Sequence, residues 1–192
     1  MALPQFHIVG GHPALDLVNT VAPRVPAGPH EDYLDSPEAV VEWARRAGVI
    51  SPSEAPVPSP ESLADVLALR ALTEAALAGR ELDAVVARWS AAIARATLTP
   101  TAGGTFALVV GTAPATMIGD RLADALVDLL RNADLSRLHS CPLEQGGCGW
   151  LFLDRSRNQS RKWCTMDDCG THAKSRRLTE RRREKAAARP KR

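Results

Sequence analysis

The chain has 192 residues, 45% hydrophobic and 24% charged, which is enough to bury its own core and excludes the disordered and fibrous classes. No apolar run approaches the ~18 residues of a membrane span, and the opening MALPQFHIVGG lacks the basic and apolar regions of a signal peptide. A cytoplasmic protein with no membrane partner is the expectation. The net charge of +2 conceals a split: residues 1–149 carry 10 Lys and Arg against 17 Asp and Glu, and residues 150–192 carry 14 against 5. An acidic body with a basic end assigns any polyanion partner to the end.

In chain order, GGHPALDLVNTV comes first, with Leu15, Leu17, Val18 and Val21 placed for a short helix. Asp16 and Asn19, three apart, would share one side of it. They, and His12, read first as caps or hydrogen bonds tying the N-terminus to the bundle, because buried polar groups must be paired. The alternative is a ligand-contacting set, His12, Asp16 and Asn19, lining a pocket.

Ser36-Pro37-Glu38 combines an N-cap, a proline at the first helical position and a first-turn acid, and predicts a helix over 37–47 stopped by Gly48. SPSEAPVPSP, with four prolines in ten residues, is a loop. Ser59-Pro60-Glu61 repeats the start signal, and apolar residues at helical spacing continue to Gly79. A further helix carries Leu82, Val85, Val86, Trp89 and Ile93, the two packing as an antiparallel pair. TLTPTAGGTFALVVG predicts a hairpin turning at Gly103-Gly104. Pro114 opens the next helix, with Met117, Ile118, Leu122, Ala125, Leu126, Leu129 and Leu130 on one face and an end near Asn132.

All four cysteines follow, as Cys141-x6-Cys148-x15-Cys164-x4-Cys169. Two short-spaced pairs separated by enough chain for a hairpin suit a tetrahedral Zn²⁺, ahead of an iron–sulfur cluster or redox thiols. Gly146, Gly147 and Gly149 surround the second ligand, residues 150–153 read as a strand, and residues 161–163 return as its partner to Cys164. A helix should begin between Cys164 and Cys169, with Asp167 and Asp168 in its first turn. Four thiolates close the site, which makes it structural, and leave no place for His139 or His172.

CGWLFLDRSRNQSRKWCTMDDCG followed by a basic helix resembles the CGNR zinc-finger family of bacterial proteins. GGHPALDLVNT, the alanine-rich helices and APATMIGDRLADALVDLL resemble the ABATE domain, described as a stress-induced transcription regulator. The resemblance implies that Cys141, Cys148, Cys164 and Cys169 hold zinc, and that Asp154, Ser156, Arg157, Asn158, Arg161 and Trp163 form the finger's frame. The sequence departs from that pattern in two places: Cys-Gly-Asn-Arg is here Cys169-Gly170-Thr171-His172, and the first knuckle is about two residues longer.

The expected fold is mainly α with a small β-hairpin: a helical domain over 1–136, a treble-clef-like zinc finger with a basic C-terminal helix over 137–185, and a disordered tail over 186–192. Arg155, Arg157, Arg161 and Lys162 on the finger, with Lys174, Arg176, Arg177 and Arg181 along the helix, would neutralise phosphates of double-stranded DNA. The expected function is therefore a DNA-binding transcriptional regulator whose N-terminal domain senses a small-molecule ligand or forms a homodimer. The alternative is a ligand-binding or protein-interaction module whose finger touches no nucleic acid. An enzyme is not expected, because no phosphate loop or nucleophile–base set stands out.

Overall fold

A computed structural model describes residues 6–24 and 31–187, with the backbone alone for Arg177 and for residues 181–187. The helical starts fall where local capping demands them. After α1 (Pro13–Val18) and a short antiparallel contact between β1 (Val21–Ala22) and β2 (Glu31–Asp32), α2 spans Pro37–Arg46. Its N-cap Ser36 accepts from the Ala39 amide at 3.2 Å. In α3 (Pro60–Leu77), Ser59 and Ser62 cap each other reciprocally, so two amides without helical partners are satisfied together. α4 spans Leu82–Ile93.

α5 (Met117–Asn132) begins three residues after the expected Pro114. The Thr116 amide bonds to the Ala113 carbonyl and the Val57 amide to that of Pro114, which holds residues 113–116 as a turn. This helix is the hub of the body. α3 and α4, expected to pair with each other, each pack more extensively on α5. Its N-terminal turn comes close to α3 at Gly119, where a Cβ would overlap the Asp65 carboxylate.

One core cluster gathers Trp43, Val40, Leu69, Ile118 and Leu122 under α2, α3 and α5. A second joins Leu15, Ala76, Val85, Leu126 and Leu129 to Leu153 from the C-terminal region. The body also buries a charge network: Asp120, fully shielded, accepts from Arg88, Arg95 and the Thr116 hydroxyl, while Arg88 also clamps Asp65. Burial pushes the Asp120 carboxyl up, but bonds from Arg95, Thr116 and Arg88 outweigh it and hold it below the usual range.

The hairpin of β3 (Thr97–Pro100) and β4 (Phe106–Val109) forms as expected, with Gly104 at a φ of 74° in its turn. The last sheet pairs β5 (Leu138–Ser140) with β6 (Leu151–Leu153), and α6 runs over Thr171–Ala187. About half of the protein is helical, with small two-stranded sheets and the four cysteines clustered beyond the body. Among the described residues no helix is long and apolar enough to cross a membrane.

Candidate metal centre and its seat on the body

β6 does form, but its partner is not the expected 161–163. It pairs with β5 ahead of the first cysteine, in the register Leu138↔Leu153, His139↔Phe152 and Ser140↔Leu151. The Cys141 amide continues that ladder to the Trp150 carbonyl at 2.8 Å, and the Gly149 amide returns to the Cys141 carbonyl at 3.1 Å. The segment 141–149 is thus the loop of a hairpin, which delivers Cys141 and Cys148 to the same end. Gly146 turns this loop at a φ of 86°, and a Cβ there would strike the Arg176 guanidinium.

Residues 154–163 serve a different purpose from a strand. The fully buried Asp154 carboxylate accepts from the amides of Ser156 at 2.7 Å and Arg161 at 2.9 Å, folding the chain back on itself. The Ser156 hydroxyl first, then these amides, hold its carboxyl below the usual range. Arg161 lies over the Phe152 ring at 4.3 Å and donates to the carbonyls of Val9, Trp163 and Cys164. Thr165 then caps a π-turn at Met166–Gly170 by accepting from the Asp168 amide, and α6 grows out of that turn. Cys164 precedes the turn, Asp167, Asp168 and Cys169 sit in it, and knuckle, turn and helix together make a treble clef.

The four Sγ atoms all lie within 4.8 Å of one another. Cys148 Sγ is 3.5 Å from Cys164 Sγ, which is 3.6 Å from Cys169 Sγ. A disulfide would require about 2.05 Å. The edges of a tetrahedron built on Zn–S bonds of ~2.3 Å are about 3.8 Å, so the donor set fits one zinc ion. The thiols' electrostatics agree with a cation. Hydrogen bonding from Cys164 brings the Cys148 thiol down to about 6, the same bond and burial drive Cys164 upward, and burial pushes Cys169 up to about 12. A dication is what would hold all four as thiolates. Neither histidine joins the set: His139 lies beside Phe152, and the exposed His172 faces Asp168 at 3.4 Å.

The finger is fastened to the body through the N-terminal segment. Asn19 donates to the Leu151 carbonyl and accepts from its amide, both at 2.8 Å, reading the outer edge of β6 as a strand would. The Trp150 indole donates to the Val21 carbonyl at 2.8 Å, the Leu153 amide to that of Gly10 at 2.9 Å, and Arg155 to that of Gly11 at 2.6 Å. Asp16 accepts from the amides of Val9 and Gly10 at 2.8 and 2.7 Å, shaping the loop that receives the finger. Burial pushes its carboxyl up against those two bonds.

His12 caps α1 through Nδ1 and faces Asp128 at 3.1 Å through Nε2. His12 and Asp16 border an open cleft beside Arg161, and Asn19 does not line that cleft. Of the candidate DNA contacts, Arg161 is committed to carbonyls and a ring. Arg155, Arg157, Lys162, Lys174 and Arg176 are exposed. The side chains of Arg177 and Arg181 fall outside the described residues, as do residues 188–192 of the tail.

These features define a helical protein carrying a closed four-cysteine treble-clef finger. The ABATE family model, described as "Putative stress-induced transcription regulator", matches residues 11–133, and the CGNR zinc finger model matches residues 137–182. The chain belongs to the ABATE family and ends in a CGNR finger whose four cysteines are positioned to bind one zinc ion. No curated protein matches it.

Proposed function

We propose that this chain is a DNA-binding transcriptional regulator, acting in the cytoplasm and not as an enzyme, whose zinc finger presents a basic helix to the phosphates of a duplex. We place the division between helical body and finger at residues 136 and 137. The observation that carries this reading is α6 itself. Seven Lys and Arg against two Glu run along its 17 residues, and Lys174 and Arg176 stand exposed. A helix so polar has little core to join, so its sequence is better explained by a partner than by packing. Arg157 and Lys162, exposed on the loop before the third ligand, extend the same charge.

The proposed sensing role of the body draws support from a cleft of about 840 Å³ between α3 and the knuckle. Its walls include Leu67, Arg70, Glu74, Leu143, Leu151 and Arg24, which is bonded to Glu74. Both regions contribute to it, so an occupant would touch the body and the finger at once.

Fluorescence anisotropy of the zinc-loaded full chain on a labelled duplex tests the reading. Affinity should fall steeply and linearly on a log–log plot against salt, and the double variant Lys174→Ala, Arg176→Ala should flatten that slope by about two phosphate contacts. Absence of binding at low salt defeats the proposal.

A further inference from the structure

We propose that a second copy of this chain docks on the β3–β4 hairpin, joining β4 to β4 about a two-fold axis into a four-stranded antiparallel sheet. This goes beyond the reading above and is independent of DNA binding.

The hairpin's own ladder supplies the argument. The Thr101 amide bonds to the Thr105 carbonyl at 2.8 Å, and register pairs Pro100 with Phe106, Thr99 with Ala107 and Leu98 with Leu108. Antiparallel pairs alternate between bonded and non-bonded, so Thr99 and Ala107 bond across the hairpin. The polar backbone groups of Leu98, Pro100, Phe106 and Leu108 point outward. On β3 that outward row is broken, because Pro100 has no N–H to offer. On β4 it is complete: Phe106 and Leu108 each present a donor and an acceptor, with no charged or proline residue to block approach. Such a row is a template for another strand.

The side chains say which strand. Leu98, Phe106 and Leu108 share one face with Pro100 and are 67%, 66% and 51% exposed, and the hairpin packs little against the rest of the protein. Residues 96–119 carry no charged side chain, so neither a nucleic acid nor an oppositely charged surface matches this element. Phe106-Ala107-Leu108 is complementary to itself. Laid antiparallel with Ala107 facing its symmetry mate, Phe106 of one copy meets Leu108 of the other on the same face at both ends, and four backbone bonds form. The patch is small beside the ~800 Å² per partner of a standard interface, so the dimer should be weak, in the micromolar range.

Sedimentation velocity of the zinc-loaded full chain, without DNA, over a wide concentration range tests this. The wild type should shift from the mass of one chain toward two. Leu108→Pro removes one outward N–H without touching a bond inside the hairpin, and should weaken association at least tenfold. Leu98→Glu, on the blunted strand and about 14 Å from its symmetry mate, should leave association close to wild type. Ala107→Cys should form an intermolecular disulfide on mild oxidation, because facing residues at a non-bonded antiparallel site lie within disulfide reach, and Ala102→Cys in the turn should not. A wild type that keeps the mass of one chain throughout, a Leu108→Pro chain that associates like wild type, or equal cross-linking at 102 and 107 overturns the proposal. Cosedimentation of the hairpin-intact chain with neutral vesicles, lost in Leu98→Glu, would overturn it in favour of a lipid surface.

Discussion

The body and the finger are built on opposite terms. The body buries Trp43, Leu69, Leu122, Leu126 and Leu129 among packed helices, and most of its core comes from its own side chains. The finger has a core of Trp150, Phe152 and Trp163 grouped around three of its four thiols. A unit so small relies on the ion, which supplies about 10–16 kcal/mol in isolated fingers. Each region therefore has a different weak point, and the seam between them, through Leu153 and Asn19, is where the two schemes meet.

Removing zinc should separate the regions most sharply. With a strong chelator, or in Cys164→Ser, the segment 141–187 should become open to protease and lose its amide protection, while α2 to α5 stay helical. The body should still melt cooperatively, but at a lower temperature than in the zinc-loaded protein, because Leu153 leaves its cluster with Leu126 and Leu129. Far-UV circular dichroism with limited proteolysis reads both changes. An unchanged profile after metal removal would mean that the finger stands on its own packing.

Those helices were legible because their signals are local. Ser36 and Ser59 each sit within three residues of the amide they cap, and a proline follows each. The cysteine ligands were legible because two short spacings suffice to name them. What escaped was non-local. β5 is three residues long and carries no alternating pattern, so nothing marked Leu138–Ser140 as the mate of β6, whereas Arg161-Lys162-Trp163 stood closer to the expected site. Arg161 read as a phosphate contact from its charge alone. Only the folded chain puts it against Phe152 and the Val9 carbonyl. Asp120 lies on the apolar stripe of α5 with its partners Arg88 and Arg95 on or just past another helix, a pairing no periodicity reveals.

The seam itself can be loosened without touching metal or core. Asn19→Ala leaves both polar backbone groups of the half-buried Leu151 without their partner, at a cost of about 1–3 kcal/mol. The amide of Leu151 should exchange faster and the melting temperature fall, with the zinc content unchanged. If Leu151 exchanges at its wild-type rate, the finger is held by its apolar contacts and Asn19 is incidental.

The smallest expected effect lies wholly inside the body and asks whether acid attacks it separately from the finger. Arg121 ties α5 to the proline-rich loop through Glu54, and its hydrogen bonds, with that of the Ser51 amide, hold the Glu54 carboxyl down at about 2 from an ordinary 4.5. A lowered carboxyl stabilises the fold fully above about 4.5, and that contribution drains away as the pH falls toward about 2. Glu54→Gln should therefore melt lower than wild type at neutral pH, by an amount equivalent to under about 1 kcal/mol for a half-buried pair still open to solvent screening. The gap between the two chains should close across that acid window. Zinc leaves both proteins as their cysteines protonate, so its loss cancels in the difference. A gap that stays constant from neutral pH down to about 2 would show that the clamp works through the shape of Glu54 and not its charge.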